Sequence, residues 1–405
     1  MRGALLLPPA LLLLSAALAP LRAAAQPSAR DVHLGAGSCA AAACHGGTEP
    51  DRNEHTIWRQ KDQHAEAYAH LQGPLAVRIA RRLKLDAPAH EAAECLSCHA
   101  TDRAVVAVGD RFDVRDGVSC ELCHGGSSRW LGPHASPGWK QRAPGEREGL
   151  GMRDLSTPQK RAAACVECHV GGADGVVDHD LIAAGHPPLV FDAAVFLEEM
   201  PPHWEDEADL SVPTWAAGRL AVAAALLDRL GRTAAEGHLD FAVFDCSSCH
   251  HAVYTGTIYE RHDPAGRPGV PPFDWSDFEV MAAMGGEFDT KTLDELRDEM
   301  GTLSQTAFGA AIQMREDADA PLSAGRAEAD AWLARIDERL ARIERDELRA
   351  SHATMQRYAF AIRALAKDRA SDAFRAAYAA LDEALDPKAS YDPVRCSKLA
   401  RAALR

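Results

Sequence analysis

Pairs of cysteines followed directly by a histidine recur along this chain. Four copies have two residues between the cysteines, and the first copy has four. Two thiols at such a spacing can add to the two vinyl groups of a haem, and the adjacent histidine can then bind the iron. The motifs therefore predict five covalently attached c-type haems, which would use ten of the eleven cysteines. In chain order, motifs 1 to 5 are Cys39–Cys44–His45, Cys95–Cys98–His99, Cys120–Cys123–His124, Cys165–Cys168–His169 and Cys246–Cys249–His250.

Cysteine pairs also occur in zinc sites, disulfide frameworks and thioredoxin-like redox motifs. Zinc has no need for a histidine directly after every second cysteine. Disulfide frameworks do not repeat one short spacing, and a thioredoxin-like motif is expected only once. The longer motif 1 is a weaker signal, but its Gly46–Gly47 matches Gly125–Gly126 after motif 3. Glycine at this place would let the backbone pass close to a porphyrin, so we interpret motif 1 as a haem site as well.

The iron ligand opposite each motif histidine decides between electron transfer and catalysis. Two nitrogen ligands close the iron, whereas an open position binds small molecules. Local setting favours four histidines as these distal ligands. His64 lies in a predicted helix between motifs 1 and 2, and His134 lies in a loop with Gly and Pro that can fold back. His179 and His186 are seven residues apart, so on a helix they would share one face and could serve different haems.

The remaining histidines are weaker ligand candidates. For His55 and His251, a ligand role and a structural role are equally compatible with the sequence. A methionine could replace one histidine and raise the potential of that haem, but no methionine is singled out by its spacing. We expect structural or solvated roles for the others, which are His33, His70, His90, His203, His238, His262 and His352.

The N-terminus is typical of an export signal. Arg2 supplies a positive charge, residues 4–21 are apolar, and small residues up to Ala25 offer a cleavage site. An uncleaved membrane anchor is the alternative, but Pro8 and Pro9 interrupt the apolar stretch. We therefore predict cleavage near Ala25 and a periplasmic protein, without stable membrane insertion elsewhere.

The formal net charge of −15 excludes one class of partner. Nucleic-acid phosphates favour a basic protein face, so nucleic acid is not expected to bind. The predicted partners are redox proteins, including a membrane-associated electron donor or acceptor. The charge itself does not identify the partner, because acidic surfaces also serve solubility.

The chain is predicted to be mainly α-helical, with a loop-rich haem domain whose core is formed by the haems. Ser156 or Thr157 would cap a helix with Pro158 at its first position, and a second helix is expected over residues 215–230. Residues 262–272 are rich in Pro and Gly and indicate a linker or long loop.

Beyond that segment, apolar residues recur at helical spacing. They predict a C-terminal helical bundle, with a coiled-coil dimer arm as the alternative. We therefore divide the chain into a signal peptide at 1–25, a haem domain at 26–275 and a helical domain at 276–405. Cys396 has no partner motif and is interpreted as a buried or bystander thiol. The three predicted stripes are Leu293–Leu296–Met300–Leu303, Trp332–Ile336–Leu340–Ile343 and Met355–Tyr358–Ile362–Leu365.

Four segments resemble the multihaem cytochrome c-554 family, whose namesake is a tetrahaem carrier that works with hydroxylamine oxidoreductase. They are residues 38–47, 117–126, 178–187 and 244–251, and the resemblance covers roughly residues 37 to 255. It implies haems stacked in close pairs inside a mostly helical, loop-rich shell, with mainly bis-histidine iron. It also implies distal ligand roles for His64, His134, His179 and His186.

The chain departs from the family pattern in having five motifs, a longer first motif and a helical tail that we cannot match. Pentahaem nitrite reductases mark their catalytic haem with Cys-x-x-Cys-Lys, and this motif does not occur here. The sequence therefore favours a periplasmic pentahaem electron carrier. The alternative is an oxidoreductase acting on a small nitrogen or sulfur compound at one five-coordinate haem.

Overall fold

The computed structural model describes most of the chain from residue 31 onward. The predicted signal peptide, the segment 262–272 and the stripe of residues 293–303 lie outside the described residues. The described residues are 31–101, 106–172, 175–202, 211–235, 240–244, 246, 250, 274–282, 284–285, 324–345, 347–348, 350–369, 371–386 and 391–405.

The protein is mainly α-helical, as predicted. One two-residue parallel bridge joins β1 (Val32–His33) to β2 (Ala107–Val108). Several of the helices are single turns, so the part of the chain around motifs 1 to 4 is rich in loops. The first ten helices are α1 (Glu54–Lys61), α2 (Ala67–His70), α3 (Pro74–Leu83), α4 (Ala93–His99), α5 (Cys120–His124), α6 (Leu131–His134), α7 (Pro144–Glu148), α8 (Pro158–Val166), α9 (His179–Ala184) and α10 (Ala193–Glu199).

Six further helices lie in the part of the chain that the structure describes. The predicted helix at 215–230 extends further, from Ser211 to Ala235. The predicted stripes at residues 332–343 and 355–365 are buried, and Ile336, Leu340, Tyr358 and Ile362 are fully covered. The helices are α11 (Ser211–Ala235), α12 (Ser276–Met281), α13 (Arg326–Glu344), α14 (His352–Leu365), α15 (Asp372–Ala384) and α16 (Pro393–Leu404).

A buried ionic cluster joins α11 to the C-terminal helices. Arg219 of α11 donates to Asp277 of α12 at 2.7 Å, and Arg357 of α14 donates to the same carboxylate at 2.8 Å. Burial alone would raise the pKa of Asp277, but Arg357 and Arg219 outweigh it and hold the pKa below its usual range. Because charges without partners are costly in a protein interior, these three side chains fix how α11, α12 and α14 pack.

The apolar core is unevenly distributed along the chain. A large cluster fills the space between α13, α14, α15 and α16 and reaches Trp215 of α11. Around motif 1 the corresponding cluster is small and comprises Ala36, Trp58 and Ala65. The region around motif 1 therefore has little apolar packing of its own, and the predicted haems would add buried surface there.

Candidate haem sites

The motifs lie on short helices and turns. Motif 2 is part of α4 and motif 3 forms α5. Motif 4 begins in α8, whose N-cap Thr157 accepts a hydrogen bond from the backbone N–H of Lys160, as predicted. It ends in a π-helical turn at Glu167–Gly171, which contains His169.

The longer spacing of motif 1 is taken up by a turn. The N–H of Cys44 donates to the carbonyl of Ala41 at 2.8 Å. A Cβ atom at Gly46 would lie 1.9 Å from the carbonyl oxygen of Ala40. Gly125, after motif 3, has a φ of 83°, and a Cβ atom there would lie 2.2 Å from the carbonyl oxygen of Gly151. Within the protein, both glycines are therefore required by close approach of neighbouring backbone.

Four motif histidines each lie beside one of the four predicted distal histidines. An imidazole nitrogen binds a metal at about 2.0 Å, so two imidazoles on opposite sides of one iron have ring centroids roughly 6 Å apart. All four observed separations match this span. The pairs are His45 with His134 at 6.1 Å, His99 with His186 at 6.4 Å, His169 with His64 at 6.0 Å and His250 with His179 at 6.3 Å.

The ring planes divide these pairs into two classes. The planes are near-parallel at motif 1, with an angle of 15°, and at motif 5, with 29°. They are near-perpendicular at motif 2, with 84°, and at motif 4, with 83°. Because imidazole orientation sets the splitting of the iron d orbitals, the two classes predict different low-spin spectra.

Carboxylates engage the second ring nitrogen of two of these histidines. The Nδ1 atom of His45 lies 2.9 Å from Oε2 of Glu54, and that of His64 lies 2.9 Å from Oδ1 of Asp62. Metal-bound histidines commonly donate their second N–H in this way, which fixes the tautomer and leaves Nε2 for the metal. The carboxylate partners also make the imidazole a stronger electron donor.

Backbone carbonyls engage three other members of the pairs. The Nδ1 atom of His99 lies 3.1 Å from the carbonyl oxygen of Ala67, and that of His186 lies 2.8 Å from the carbonyl oxygen of Pro187. His134 uses the carbonyl of Leu131 in the same way. These contacts likewise leave Nε2 for a metal, which fits iron ligation.

Burial keeps two motif histidines neutral. It lowers the pKa of His169 to about 4, with a smaller contribution from His64. It also lowers the pKa of His99, although the carbonyl of Ala67 opposes the change, and His186 contributes in the same direction as burial. Neutral imidazole is the form that can donate a lone pair to a metal, so both sites suit iron.

The elements that hold the distal histidines differ in detail from the sequence-based expectations. His64 lies in a 3₁₀ turn, Gln63–Glu66, and His134 is the last residue of α6. Helix α9 begins at His179 but ends at Ala184, so His186 lies beyond its end. The two histidines nevertheless face different motifs, because the chain turns at the end of the helix.

A buried ion pair positions His179. Arg229 of α11 contacts both the carboxylate of Asp240 and the carbonyl of Val177, and its side chain is almost fully covered. The other carboxylate oxygen of Asp240 accepts from the backbone N–H of His179 at 3.3 Å. Helix α11 therefore fixes the start of α9 and with it the histidine that faces motif 5.

Cysteine thiols of different motifs shift each other's pKa. A hydrogen bond between thiols lowers the pKa of Cys39 and raises that of Cys120, and the same holds for Cys98 and Cys168. These contacts bring motif 1 beside motif 3 and motif 2 beside motif 4. This arrangement agrees with the close pairing that the family resemblance implies.

A buried carboxylate holds motif 3 in this position. Glu121 is 2 % exposed and accepts hydrogen bonds from the backbone N–H groups of Leu34, Gly35 and Ser127, at 2.7 to 2.9 Å. The segment that leads into motif 1 is thereby fixed against motif 3. The sequence reasoning missed Glu121, Glu54 and Asp62.

The other candidate residues are placed as follows. Cys249 and His251 lie outside the described residues, and the four ring pairs account for every motif histidine except His124. His55 stacks obliquely on Trp58, at a centroid distance of 5.4 Å, and takes part in none of the four pairs.

Cys396 is buried, as predicted. Among the attachment cysteines, Cys39 is buried, Cys44 and Cys246 are exposed, and Cys95, Cys98, Cys120, Cys123, Cys165 and Cys168 are half-buried.

The described residues contain no group of three or more His, Cys, Asp or Glu side chains arranged to hold a metal ion directly. None of their helices combines the length and apolar character needed to cross a bilayer.

Comparison with known proteins supports the haem interpretation. No curated protein and no solved structure matches the chain. Residues 38–125, which contain motifs 1 to 3, match the family model described as cytochrome c554 and c-prime. This match supports a c-type cytochrome that transfers electrons through covalently bound haem.

Proposed function

We propose that this protein is a periplasmic pentahaem cytochrome c that carries electrons between redox proteins. The four histidine pairs are the observation that carries the proposal, since each combines a motif histidine with a second histidine at the span of one iron. Closed bis-histidine iron favours electron transfer over binding of small molecules. When bound, haem supplies reversible one-electron chemistry at low potential.

The chain's own residues have four roles in this proposal. The motif cysteines attach the haems, and the motif histidines are the proximal ligands. His64, His134, His179 and His186 are the distal ligands. The residues that engage Nδ1 hold these rings in one tautomer, so that the ligand geometry changes little between oxidation states.

The cysteine contacts support an ordered set of neighbouring sites. Motif 1 adjoins motif 3, and motif 2 adjoins motif 4. Helix α9 begins at His179, which faces motif 5, and ends shortly before His186, which faces motif 2. Neighbouring sites of this kind suit electron transfer across the protein. We assign the sites to a domain at residues 26–275, after cleavage of a signal peptide near Ala25.

Haem counting tests the cofactor and its number. The mature holoprotein, isolated from the periplasmic fraction, should carry five haems by mass spectrometry and by the pyridine haemochrome assay. Cys95→Ala/Cys98→Ala should lower the count by one, whereas Cys396→Ala should leave it unchanged. A wild-type count other than five would refute the stoichiometry.

Ferric EPR with and without nitric oxide tests the carrier function. A carrier with closed iron sites should give low-spin signals that nitric oxide leaves unaltered. A high-spin signal that shifts on nitric oxide binding, together with turnover of a small nitrogen or sulfur compound, would instead identify an oxidoreductase.

A further inference from the structure

Helix α3 carries a concentration of positive charge on a protein whose net charge is −15. Four of the eleven residues from Pro74 to Lys84 are Arg or Lys, and none is acidic. All four are exposed, namely Arg78, Arg81, Arg82 and Lys84.

These cations have few partners within the protein. Arg78, Arg81 and Lys84 form no ion pair or side-chain hydrogen bond in the part of the chain that the structure describes. Arg82 uses one nitrogen to donate to a backbone carbonyl. Charges without a local counter-ion are not neutralised by a neighbouring carboxylate, so α3 would attract a negatively charged surface at low ionic strength.

Exposed apolar side chains lie on the same helix. Leu75 is 43 % exposed and Val77 is 59 % exposed, and both belong to the few large hydrophobic residues that remain uncovered among the described residues. Apolar contact area bordered by charge is the usual composition of a protein–protein interface. We define the α3 patch as Leu75, Val77, Arg78, Arg81, Arg82 and Lys84.

The α3 patch lies next to one of the candidate iron ligands. Arg82 Nη1 donates to the carbonyl of Ala184, the last residue of α9, at 3.0 Å. A Cβ atom at Gly185 would lie 3.8 Å from the side chains of both Leu75 and Ile79. The next residue is His186, which pairs with His99 of motif 2. A molecule bound on the patch would therefore lie close to the histidine that is paired with motif 2.

We propose that the α3 patch is the docking surface for an acidic redox protein that exchanges electrons with the haem of motif 2. The proposal rests on the electron-transfer function proposed above. With haem bound at motif 2, one electron would pass from the reduced partner to the ferric iron, so the partner would be oxidised by one electron and the iron reduced to the ferrous state. The net negative charge elsewhere repels an acidic partner and so orients it toward α3. A small patch suits the short-lived complexes of electron-transfer proteins.

The rate of reduction by an acidic protein donor tests this docking surface. The probe is a reduced plant-type [2Fe–2S] ferredoxin, which is acidic and has a potential of about −400 mV. Stopped-flow absorbance of the five-haem holoprotein gives the bimolecular rate constant. At about 0.01 M ionic strength, Arg78→Gln/Arg81→Gln should lower this constant about tenfold. At about 1 M, where charges are screened beyond about 3 Å, the difference should disappear.

A matched variant controls for the change in net charge. Arg395 and Lys398 are also exposed cations three residues apart on one helix, α16, and form no ion pair with described residues. Arg395→Gln/Lys398→Gln should change the rate constant by less than about twofold. Equal slowing in both double variants, or no slowing in the α3 variant, would overturn the proposal.

Two further measurements separate the remaining explanations. If the α3 variant loses binding to phosphatidylglycerol vesicles while its ferredoxin rate is unchanged, the patch contacts membranes, and the protein-partner proposal is wrong. Haem count and ferric EPR are recorded on the same samples. If the wild-type protein lacks haems, the proposed function is wrong. If the α3 variant has the same haem content as the wild type and is reduced at the same rate, only the docking surface is refuted.

Discussion

Replacing Glu54 by glutamine should raise the midpoint potential of the haem at motif 1. The Glu54 carboxylate lies 2.9 Å from Nδ1 of His45, and its charge favours the more positive ferric iron. An amide oxygen can accept the same hydrogen bond without that charge. The substitution therefore removes the electrostatic contribution and retains the hydrogen bond that orients His45.

The size of the shift follows from the change in hydrogen-bond type. Hydrogen bonds to charged groups contribute about 1.5–3 kcal/mol, and neutral ones about 0.5–1.5 kcal/mol, so the difference is about 1 kcal/mol. For a one-electron couple, about 59 mV corresponds to a tenfold change in equilibrium, so the shift is about 40 mV. The side chains of His45 and Glu54 are 37 % and 28 % exposed. Because solvent screens their interaction, the calculated shift in potential is an upper limit.

Spectroelectrochemical titration monitored by EPR measures the potential of each haem class. Glu49→Gln, which removes an exposed carboxylate from the same loop, is the control and should leave the potentials within about 10 mV. A fall in potential for Glu54→Gln, or the same shift in both variants, would refute the assignment of Glu54 as a carboxylate that lowers the potential at motif 1.

Further predictions concern ligation, spectra and stability. His64→Ala should produce a high-spin ferric signal from motif 4, because it removes the predicted distal nitrogen. The control His55→Ala should remain low-spin, and the same signal in both variants would contradict the ligand assignment. Ferric EPR of the wild type should contain rhombic signals from the near-parallel pairs and strongly anisotropic signals from the near-perpendicular pairs, so a single class of signal would contradict the ring angles. Asp277→Asn should lower the free energy of unfolding by about 3 kcal/mol, because it leaves the buried Arg357 without its carboxylate and Arg219 with Asp192 alone. Asp337→Asn, which affects a more exposed ion pair with Arg401, should cost about 1 kcal/mol or less, and equal urea midpoints for the two variants would contradict this reasoning.

Local features explain what could be predicted from the sequence. Thr157 and Pro158 begin α8 through contacts within one turn of helix, so their types alone indicate the start. The stripes of α13 and α14 follow from periodicity, because residues three or four apart share one face. The helical character of the protein depends on such short-range preferences and could therefore be predicted.

Long-range packing explains what could not be predicted. The residues around His64 indicated that it is a ligand, but only the folded chain brings it beside His169 rather than beside a motif nearer in sequence. Glu54 reaches His45 because α1 folds back on motif 1, and nothing in its spacing indicates this contact. Asp62 is different, since its carboxylate accepts from both the backbone and the ring of the histidine two residues later. That Asp-x-His spacing was a local signal that the sequence reasoning missed. Iron ligation by these histidines stays a prediction.

The contacts between cysteines of different motifs have a consequence for biosynthesis. In the folded chain, Cys39 lies beside Cys120, and Cys98 lies beside Cys168. If the chain folded before the haems were attached, an oxidising compartment would convert each neighbouring pair of thiols into a disulfide. Each such cross-link would disable two attachment sites at once. We therefore expect thioether formation to precede completion of the fold, so the order of maturation, and not only its chemistry, would decide how much holoprotein is obtained.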